Sequence, residues 1–470
     1  MAYSSITKPE DHFNTKLTTG TGSSQGVTGV GFQPDWIWGK RRDSTGNHSL
    51  FDSVRGITKG LESNNNNAEF TSTDYYSSFD SDGFTIASGS SGAGNGSSQT
   101  AAQWCWLAGG TAPSQTYTVK VVSDSGNKYR FDDFGTSAVT LDLQEGGTYT
   151  FDQSDSSNSG HPLRFSTTSD GSHGGGSEYT TGVTTTGTPG SSGAQTVITV
   201  AASAPTLYYY CTSHSGMGGQ ANTNSTHGSS NFAGGTQSTV SVNSTAGFSI
   251  INWAGSSSAS VQTIGHGLGA TPHWILSKNR GSGSSITAWI NYHHKIDTTA
   301  PEDYTVYLNN TDARVDNTVF NDTAPTSTVF SFNTGTDDQN YISYCFTEKK
   351  GFSKFGLYSG NANADGTFVY CGFKPAWILR KCVTGGTAEN WVINDNKRDT
   401  FNQSQKALFP NNVNVEDTAT HNAVDFLSNG FKCRTADGRT NGTSKNYIYA
   451  AFAEEPLVAN VGQSIPATAR

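Results

Sequence analysis

The chain has 470 residues, of which 54 are glycine, 11% are aromatic and 14% are charged. This length allows three or four domains, and abundant glycine with few charges favours turn-rich β structure over helix. The net charge of −9, with no basic run longer than residues 40–42, argues against nucleic acid as a partner. We also expect neither Sec export nor membrane insertion, because no apolar signal region and no span of ~18–20 apolar residues occurs.

One motif occurs three times along the chain. GFQPDWIWGKR (residues 31–41) returns as LGATPHWILSKNR (268–280) and as GFKPAWILRKC (372–382). Each copy has a glycine, a proline, a Trp-Ile core and a basic residue, which predicts a strand entered through a turn, since proline cannot donate to a sheet ladder. We therefore predict three related domains, marked by Trp36, Trp274 and Trp377 and arranged as independent units along the chain.

Within the first repeat, Trp36 and Trp38 share one face of the predicted strand. Packing in a core or a subunit contact is the favoured interpretation, and sugar stacking is the alternative. Each repeat ends in a second apolar strand, and in the first two repeats this strand contains Cys105 or Cys345. A cysteine inside an apolar strand acts as a small buried hydrophobe, so we expect mostly free thiols.

The first and second motif copies lie much farther apart than the second and third, which indicates an additional domain between them. Alternating runs such as TYTVKVV and TYTF predict a compact sandwich over residues 114–220. It ends in LYYYCTSHSGMGG (207–219), where Cys211, His214 and Met217 follow a Cys-x-x-His-x-x-Met spacing, and His161 lies upstream.

This set of residue types is suited to copper. One thiolate and two imidazoles provide a trigonal set, and a methionine thioether provides a weak axial contact. Met217 is the one methionine besides Met1, so it alone could fill the axial position. The alternative is a core thiol with two hydrogen-bonded histidines in a domain that needs no metal.

The pattern resembles the cupredoxins, with the short ligand loop of amicyanin-like members, over residues 117–219. The resemblance implies a copper cofactor held by His161, Cys211, His214 and Met217. His173 and His227 lie in Gly/Ser-rich loops, where we expect solvent-exposed histidines. His293 and His294 are adjacent, so on a strand they face opposite ways and cannot share a zinc ion.

The blocks around Trp36 and Trp274 resemble an uncharacterised, repeated domain of virion proteins from tailed bacteriophages, particularly marine ones. That resemblance implies a lectin-like or jelly-roll-like β-sandwich. The predicted fold is therefore all-β, with three homologous β-sandwich domains and one cupredoxin-like sandwich. The predicted boundaries are as follows: repeat one 1–113, cupredoxin-like domain 114–220, linker 221–235, repeat two 236–348, repeat three 349–456, C-terminal tail 457–470.

The resemblances imply a non-enzymatic structural protein of a phage virion, either a tail fibre or appendage or a surface decoration protein, without catalytic residues. It would be made in the host cytoplasm without a signal peptide. Expected partners are two further copies, by analogy with trimeric phage fibres, other virion proteins, and a host-surface glycan or protein. Two alternatives stay open: a copper electron-transfer protein, which would require export, and a glycan-binding or glycan-degrading tail protein, which for hydrolysis would require two placed carboxylates.

Overall fold

The computed structural model describes residues 4–89, 92–282, 286–335, 337–385 and 389–456. Nearly all regular structure in these residues is β, which confirms the predicted all-β class. The helical elements in the described ranges are short 3-10 turns: Pro9–Asp11, Ser156–Asn158, Gly171–Gly174, Pro301–Asp303 and Thr420–Asn422. None of the described helices is long and apolar enough to cross a membrane.

The first repeat is built from one large and one small sheet. The large sheet has the order β1-β9-β3-β4-β5-β6, and the small sheet has the order β2-β8-β7. The strands are β1 (Phe13–Thr19), β2 (Gln25–Val27), β3 (Trp36–Arg41), β4 (His48–Asp52), β5 (Lys59–Glu62), β6 (Phe70–Thr71), β7 (Tyr76–Asp80), β8 (Gly83–Ile86) and β9 (Thr100–Trp106).

The inserted domain follows, with sheets β11-β10-β13-β16-β15 and β12-β18-β17-β14. Its strands are β10 (Ser114–Ser123), β11 (Asn127–Phe131), β12 (Leu141–Gln144), β13 (Thr148–Asp152), β14 (Leu163–Ser166), β15 (Val183–Thr186), β16 (Gln195–Thr199), β17 (Leu207–Cys211) and β18 (Gly219–Asn224). Alternate residues of both sheets, among them Tyr117, Phe151 and Tyr209, fill the core of this sandwich.

The second repeat has a large sheet, β19-β20-β21-β28-β23-β24-β25-β26, and a pair, β22-β27. Its strands are β19 (Ser229–Asn231), β20 (Ser238–Asn243), β21 (Phe248–Ala254), β22 (Val261–Gly265), β23 (Trp274–Asn279), β24 (Trp289–His293), β25 (Tyr304–Tyr307), β26 (Val315–Asp316), β27 (Val329–Asn333) and β28 (Asn340–Phe346).

The third repeat has sheets β29-β35-β31-β32 and β30-β34-β33. Its strands are β29 (Ser353–Ser359), β30 (Phe368–Tyr370), β31 (Phe373–Cys382), β32 (Val392–Asp395), β33 (Val424–Leu427), β34 (Gly430–Cys433) and β35 (Asn446–Pro456).

The three marker tryptophans occupy the same position in their sheets. Each lies on the strand that pairs with the closing strand of its repeat, where the partners are Trp106, Phe346 and Phe452, respectively. The following isoleucine pairs with Cys105, Cys345 or Ala451, the residues that define the closing strands in the sequence. The repeats are therefore equivalent in strand register as well as in sequence.

The repeats share one core instead of forming the independent units expected from the sequence. Trp36, Trp274 and Trp377 belong to a single buried cluster with residues from all three repeats. The reason lies in the marker strand, which is apolar on both faces. Ile37 packs inward against the small sheet of its own repeat. Trp36 points to the opposite face of the strand, where residues of the other repeats bury it. The indole of Trp36 stacks on Tyr344 of repeat two, with ring centroids 4.4 Å apart.

Equivalent hydrogen bonds join the repeats in a closed ring. The backbone N–H of Glu69 donates to the carbonyl of Arg280 at 2.9 Å, and that of Glu416 donates to Arg42 at 3.0 Å. The third bond of the ring runs from Arg314 to Val383 at 3.3 Å. Repeat one thus binds repeat two, two binds three, and three binds one, which gives the chain an internal pseudo-threefold arrangement.

Three equivalent lysines strengthen the same ring. Lys40, Lys278 and Lys381 each follow the marker tryptophan by four residues, and each is buried. The ammonium groups of Lys278 and Lys381 donate to the carbonyls of Asn66 and Thr311 in the preceding repeat, at 3.4 and 2.8 Å. Burial lowers the pKa of each lysine to about 8, because desolvation disfavours the charged form.

Buried ion pairs occupy two of the three junctions. Asp52 lies opposite Trp36 in the ladder, binds Arg55 at 2.5 Å and accepts a 2.7 Å hydrogen bond from Tyr344 of repeat two.

The junction of repeats three and one has the same arrangement. There Asp395 lies opposite Trp377, binds Arg398 at 2.6 Å and accepts a 3.1 Å bond from the indole N–H of Trp104. The junction of repeats two and three differs, because His293 occupies the equivalent position and its ring nitrogen lies 3.2 Å from the carbonyl of Tyr449.

The segment 221–235 forms strands, although its composition predicts a linker. Strand β18 pairs with β12 and β17 of the insert and buries Ala221, and β19 pairs with β20 of repeat two. Polar side chains on such strands can face outward while the backbone completes the ladder, so composition alone misses them. The predicted tail, residues 457–470, lies outside the described residues.

Candidate metal centre

The ladder of the inserted domain brings the predicted ligands together. Cys211 is the last residue of β17 and pairs with Leu163, the first residue of β14. His161 precedes Leu163 by two residues, and the adjoining backbones are joined by a 3.1 Å bond from the Thr212 N–H to the Pro162 carbonyl. His214 lies in the turn that leaves β17. Both imidazoles are thereby placed at the end of the strand that carries the thiol.

His161, Cys211 and His214 form a compact group. The sulfur of Cys211 lies 3.8 Å from Nδ1 of His161 and 3.8 Å from Nδ1 of His214. All three candidate ligand atoms lie within 4.8 Å of one another, and the imidazole centroids are 4.6 Å apart. In the described ranges, this is the one group of at least three His, Cys, Asp or Glu residues close enough to hold a metal.

These distances fit a metal at the centre of the group. Typical zinc bond lengths of about 2.3 Å to sulfur and about 2.05 Å to nitrogen, at an angle of about 120°, separate the two ligand atoms by about 3.8 Å. Both sulfur–nitrogen distances match this value. These two distances therefore suit one thiolate and two imidazoles bound to a common ion.

The backbone of His161 is fixed by two neighbouring side chains. Its carbonyl accepts a 2.9 Å hydrogen bond from the Tyr129 hydroxyl and a 2.8 Å bond from the Gln153 amide. Desolvation, with the nearby His214 as the second cause, lowers the pKa of His161 below its ordinary value. The lowered pKa favours the neutral imidazole, which is the form that binds metals.

Met217 is buried in the domain core and contributes to the same surface depression as His214. Its carbonyl accepts a 3.0 Å hydrogen bond from the backbone N–H of Tyr129 on β11. Because the Tyr129 hydroxyl also binds the His161 carbonyl, one residue holds both the Met217 loop and His161. The structure thus brings three of the four predicted ligands into one group, and Met217 belongs to the same core cluster as Cys211.

The three repeats match a family model described as a domain of unknown function (DUF7483) over residues 8–130 and 220–456. The chain belongs to this family. The two matched segments flank residues 131–219, so the DUF7483 model covers all three repeats and omits most of the inserted domain, including His161, Cys211 and His214. No curated protein matches the chain, and no solved structure does.

In this DUF7483 chain, His173 is exposed, as its loop predicts, but it lines the depression beside His214 and Met217. Its Nε2 lies 3.1 Å from the carbonyl of Cys211. Nothing in the sequence indicates this contact, because His173 lies far upstream of Cys211 in a Gly/Ser-rich segment.

His227 is buried, which contradicts the expectation of a solvent-exposed histidine. Its Nδ1 lies 2.5 Å from a carboxylate oxygen of Asp35 in repeat one.

Trp36 and Trp38 are fully buried in the shared core, so neither can stack on a sugar. All six cysteines are free, and the apolar strands around Cys105 and Cys345 had predicted mostly free thiols.

His293 and His294 bind different partners. His293 faces Tyr449, and Nε2 of His294 lies 2.6 Å from the carbonyl of Phe355. Their ring centroids are nevertheless only 5.6 Å apart, so the expectation that they do not share a zinc ion stays a prediction. Both are part of the junction between repeats two and three.

Proposed function

We propose that this chain is a non-enzymatic structural protein of a bacteriophage virion that carries a copper site in its inserted domain. The observation that supports the copper site is the equal 3.8 Å spacing of the Cys211 sulfur from Nδ1 of His161 and of His214. Asp and Glu are absent from this group, and the soft thiolate with two imidazoles favours copper over hard cations such as calcium.

His161, Cys211 and His214 would supply the three strong ligands, and the Met217 thioether would supply a weaker soft contact. Bound copper would add a link between β14, β17 and the following turn, so its contribution is structural. Because the ligand group forms only in the folded domain, binding shifts the folding equilibrium towards the native state. The burial of the Cys211 thiol and the hydrogen bond to the His161 carbonyl hold these two ligands in position without a bound metal.

The virion role rests on the resemblance of the repeat blocks to domains of phage structural proteins. The shared core and the closed ring of inter-repeat bonds are consistent with it, because a particle component must hold its shape under load. The expected homotrimer stays a prediction. The physical reason for expecting a trimer is weaker than the sequence suggested, because the contacts expected between chains are made between the repeats of one chain.

The virion role is tested with purified phage particles. Mass spectrometry of density-purified particles should detect this chain at a fixed copy number relative to the major capsid protein. Immunogold labelling with an antibody against the chain should decorate the particle. A chain that is abundant in the infected-cell lysate but lost from particles on purification would contradict the proposal.

A copper electron-transfer protein is the second candidate. The observation that favours it is the exposure of His214 at the surface depression, which would give a redox partner access to one ligand. The two candidates differ in reduction kinetics. An electron-transfer site should exchange electrons rapidly and reversibly with small redox mediators, whereas a structural site need not.

A further inference from the structure

The small sheet of repeat three exposes two aromatic rings on its outer face. Phe368 is 45% exposed and Tyr370 is 58% exposed, and they lie two residues apart on the edge strand β30. Val369 between them points inward and belongs to the core of the repeat. The two rings therefore share one face of the sheet, at a spacing of about 6.6 Å along the strand.

The two sister repeats show that the fold does not require these rings. In repeat three, Val369 pairs with Phe431, and the equivalent pairs are Val27 with Phe84 and Ile264 with Phe330. The positions flanking that inward residue are Gly26 and Thr28 in repeat one, and Thr263 and Gly265 in repeat two. Small or polar residues at these positions are therefore enough to form the strand in repeats one and two. Among the three repeats, only repeat three has an aromatic pair there.

The surface around the rings is open and polar. Tyr370 pairs with Gly430, where an added Cβ would lie 2.0 Å from the Val369 carbonyl, so a glycine is required and the sheet beside Tyr370 carries no side chain. Phe368 pairs with Lys432, which binds Asp365 at 2.6 Å.

The charges of this face cancel. Asp365 also binds Arg434 at 2.6 Å, and Arg434 in turn lies 3.3 Å from Asp425. Two cations and two carboxylates therefore balance one another. Such a surface offers hydrogen-bond donors and acceptors to a ligand but no net attraction for a charged one.

The size of the patch indicates a small ligand. Two half-exposed rings present about 200 Å² of apolar surface, given about 150–250 Å² for a whole aromatic side chain. A stable protein interface requires about 800 Å² on each partner. The three-residue strand β30 is also too short to pair with an added strand of the usual ~5–6 residues.

We infer that this face binds a neutral glycan, with sugar rings stacked on Phe368 and Tyr370 and hydroxyl groups bonded to Asp365, Lys432 and Arg434. A pyranose has an apolar C–H face and a rim of hydroxyls that both donate and accept, which matches two rings bordered by charge-balanced polar groups. The inference rests on this surface and is independent of the proposed virion role and of the copper site.

The test is saturation-transfer NMR on the full chain with neutral oligosaccharides of glucose, galactose, mannose and N-acetylglucosamine, each at millimolar concentration. We expect transfer to at least one of them. The variant Phe368→Thr/Tyr370→Thr introduces the small polar chemistry of the sister repeats, and it should reduce that transfer at least tenfold. Circular dichroism of the variant should be unchanged, because both side chains lie outside the core.

Phe401→Ser is the matched control, since Phe401 is 80% exposed but lies in the loop beside β33, at the opposite edge of the small sheet from β30. It should bind as the unmodified chain does. The inference is overturned if no oligosaccharide shows transfer, if the double variant binds as well as the unmodified chain, or if Phe401→Ser loses binding equally. A fourth contradicting outcome is binding of acidic oligosaccharides alone, which would indicate a charge-driven site.

Discussion

Asp35 and His227 lie 192 residues apart and are joined by a 2.5 Å contact between a carboxylate oxygen and the imidazole Nδ1. The other oxygen of Asp35 accepts the backbone N–H groups of Ala108 at 2.8 Å and Gly110 at 3.1 Å. Ala108 and Gly110 lead into the inserted domain, and His227 follows it. One buried carboxylate of repeat one therefore holds both ends of the insert.

Replacing Asp35 with asparagine should loosen the insert from the repeats. The amide retains the shape but loses the charge that receives four donors, since the Ser53 hydroxyl also binds Asp35, so we expect a loss of about 2–4 kcal/mol in the free energy of unfolding. Urea unfolding measures the loss, and limited proteolysis should cut faster between residues 107 and 113. Asp133→Asn is the control, because Asp133 is exposed in its pair with Lys120. Equal stability of the two variants would show that Asp35 does not anchor the insert.

The buried pairs at two junctions should be stability determinants. Arg55→Met leaves the buried Asp52 without its cation in the repeat one–two junction, while Glu69 keeps its pair with Arg280, and we expect a loss of about 3–5 kcal/mol. Arg398→Met should have a similar effect at the equivalent junction. For Arg41→Met, which breaks the exposed pair with Asp43, we expect about 0–1 kcal/mol. Chemical denaturation compares the three variants, and a similar small loss in all of them would contradict the role of the buried pairs.

Acid should weaken the junction of repeats two and three. Desolvation is the main cause that lowers the pKa of His294 to about 4, with His273 acting in the same direction and the Phe355 carbonyl and Glu348 opposing it. The unfolded chain then binds more protons than the folded one between pH about 4 and about 6.5, so stability falls as pH falls through this window. For His294 alone the loss is about 2 kcal/mol at pH 5.

The measurement compares urea unfolding at pH 7.5 and pH 5 for the unmodified chain and for His294→Gln. Glutamine can donate to the Phe355 carbonyl at both pH values, so the variant should lose about 2 kcal/mol less on acidification. An identical acid loss in both proteins would contradict the assignment. Hydrogen exchange should further show that β24 and β29 lose protection at pH 5 before β3 does.

The sequence predicted features that depend on local pattern. The threefold recurrence of the Trp-Ile motif identified the marker strand, and the spacing of Cys211, His214 and Met217 identified the candidate ligand loop. The shared core was missed because it depends on which layer covers the outer face of Trp36, and that layer comes from other repeats. His227 was misjudged for a related reason, since its partner Asp35 is remote in the chain and loop composition alone indicated exposure.

We propose that His161, Cys211 and His214 form a copper site. The decisive measurement is titration of Cu(II) into the reduced full chain, followed by visible absorption and by metal analysis after gel filtration. We predict an intense thiolate-to-copper band that saturates at one copper per chain, is lost in Cys211→Ala, and persists with altered energy in Met217→Leu. No band in the unmodified chain, or equal copper retention by Cys211→Ala, would contradict the claim.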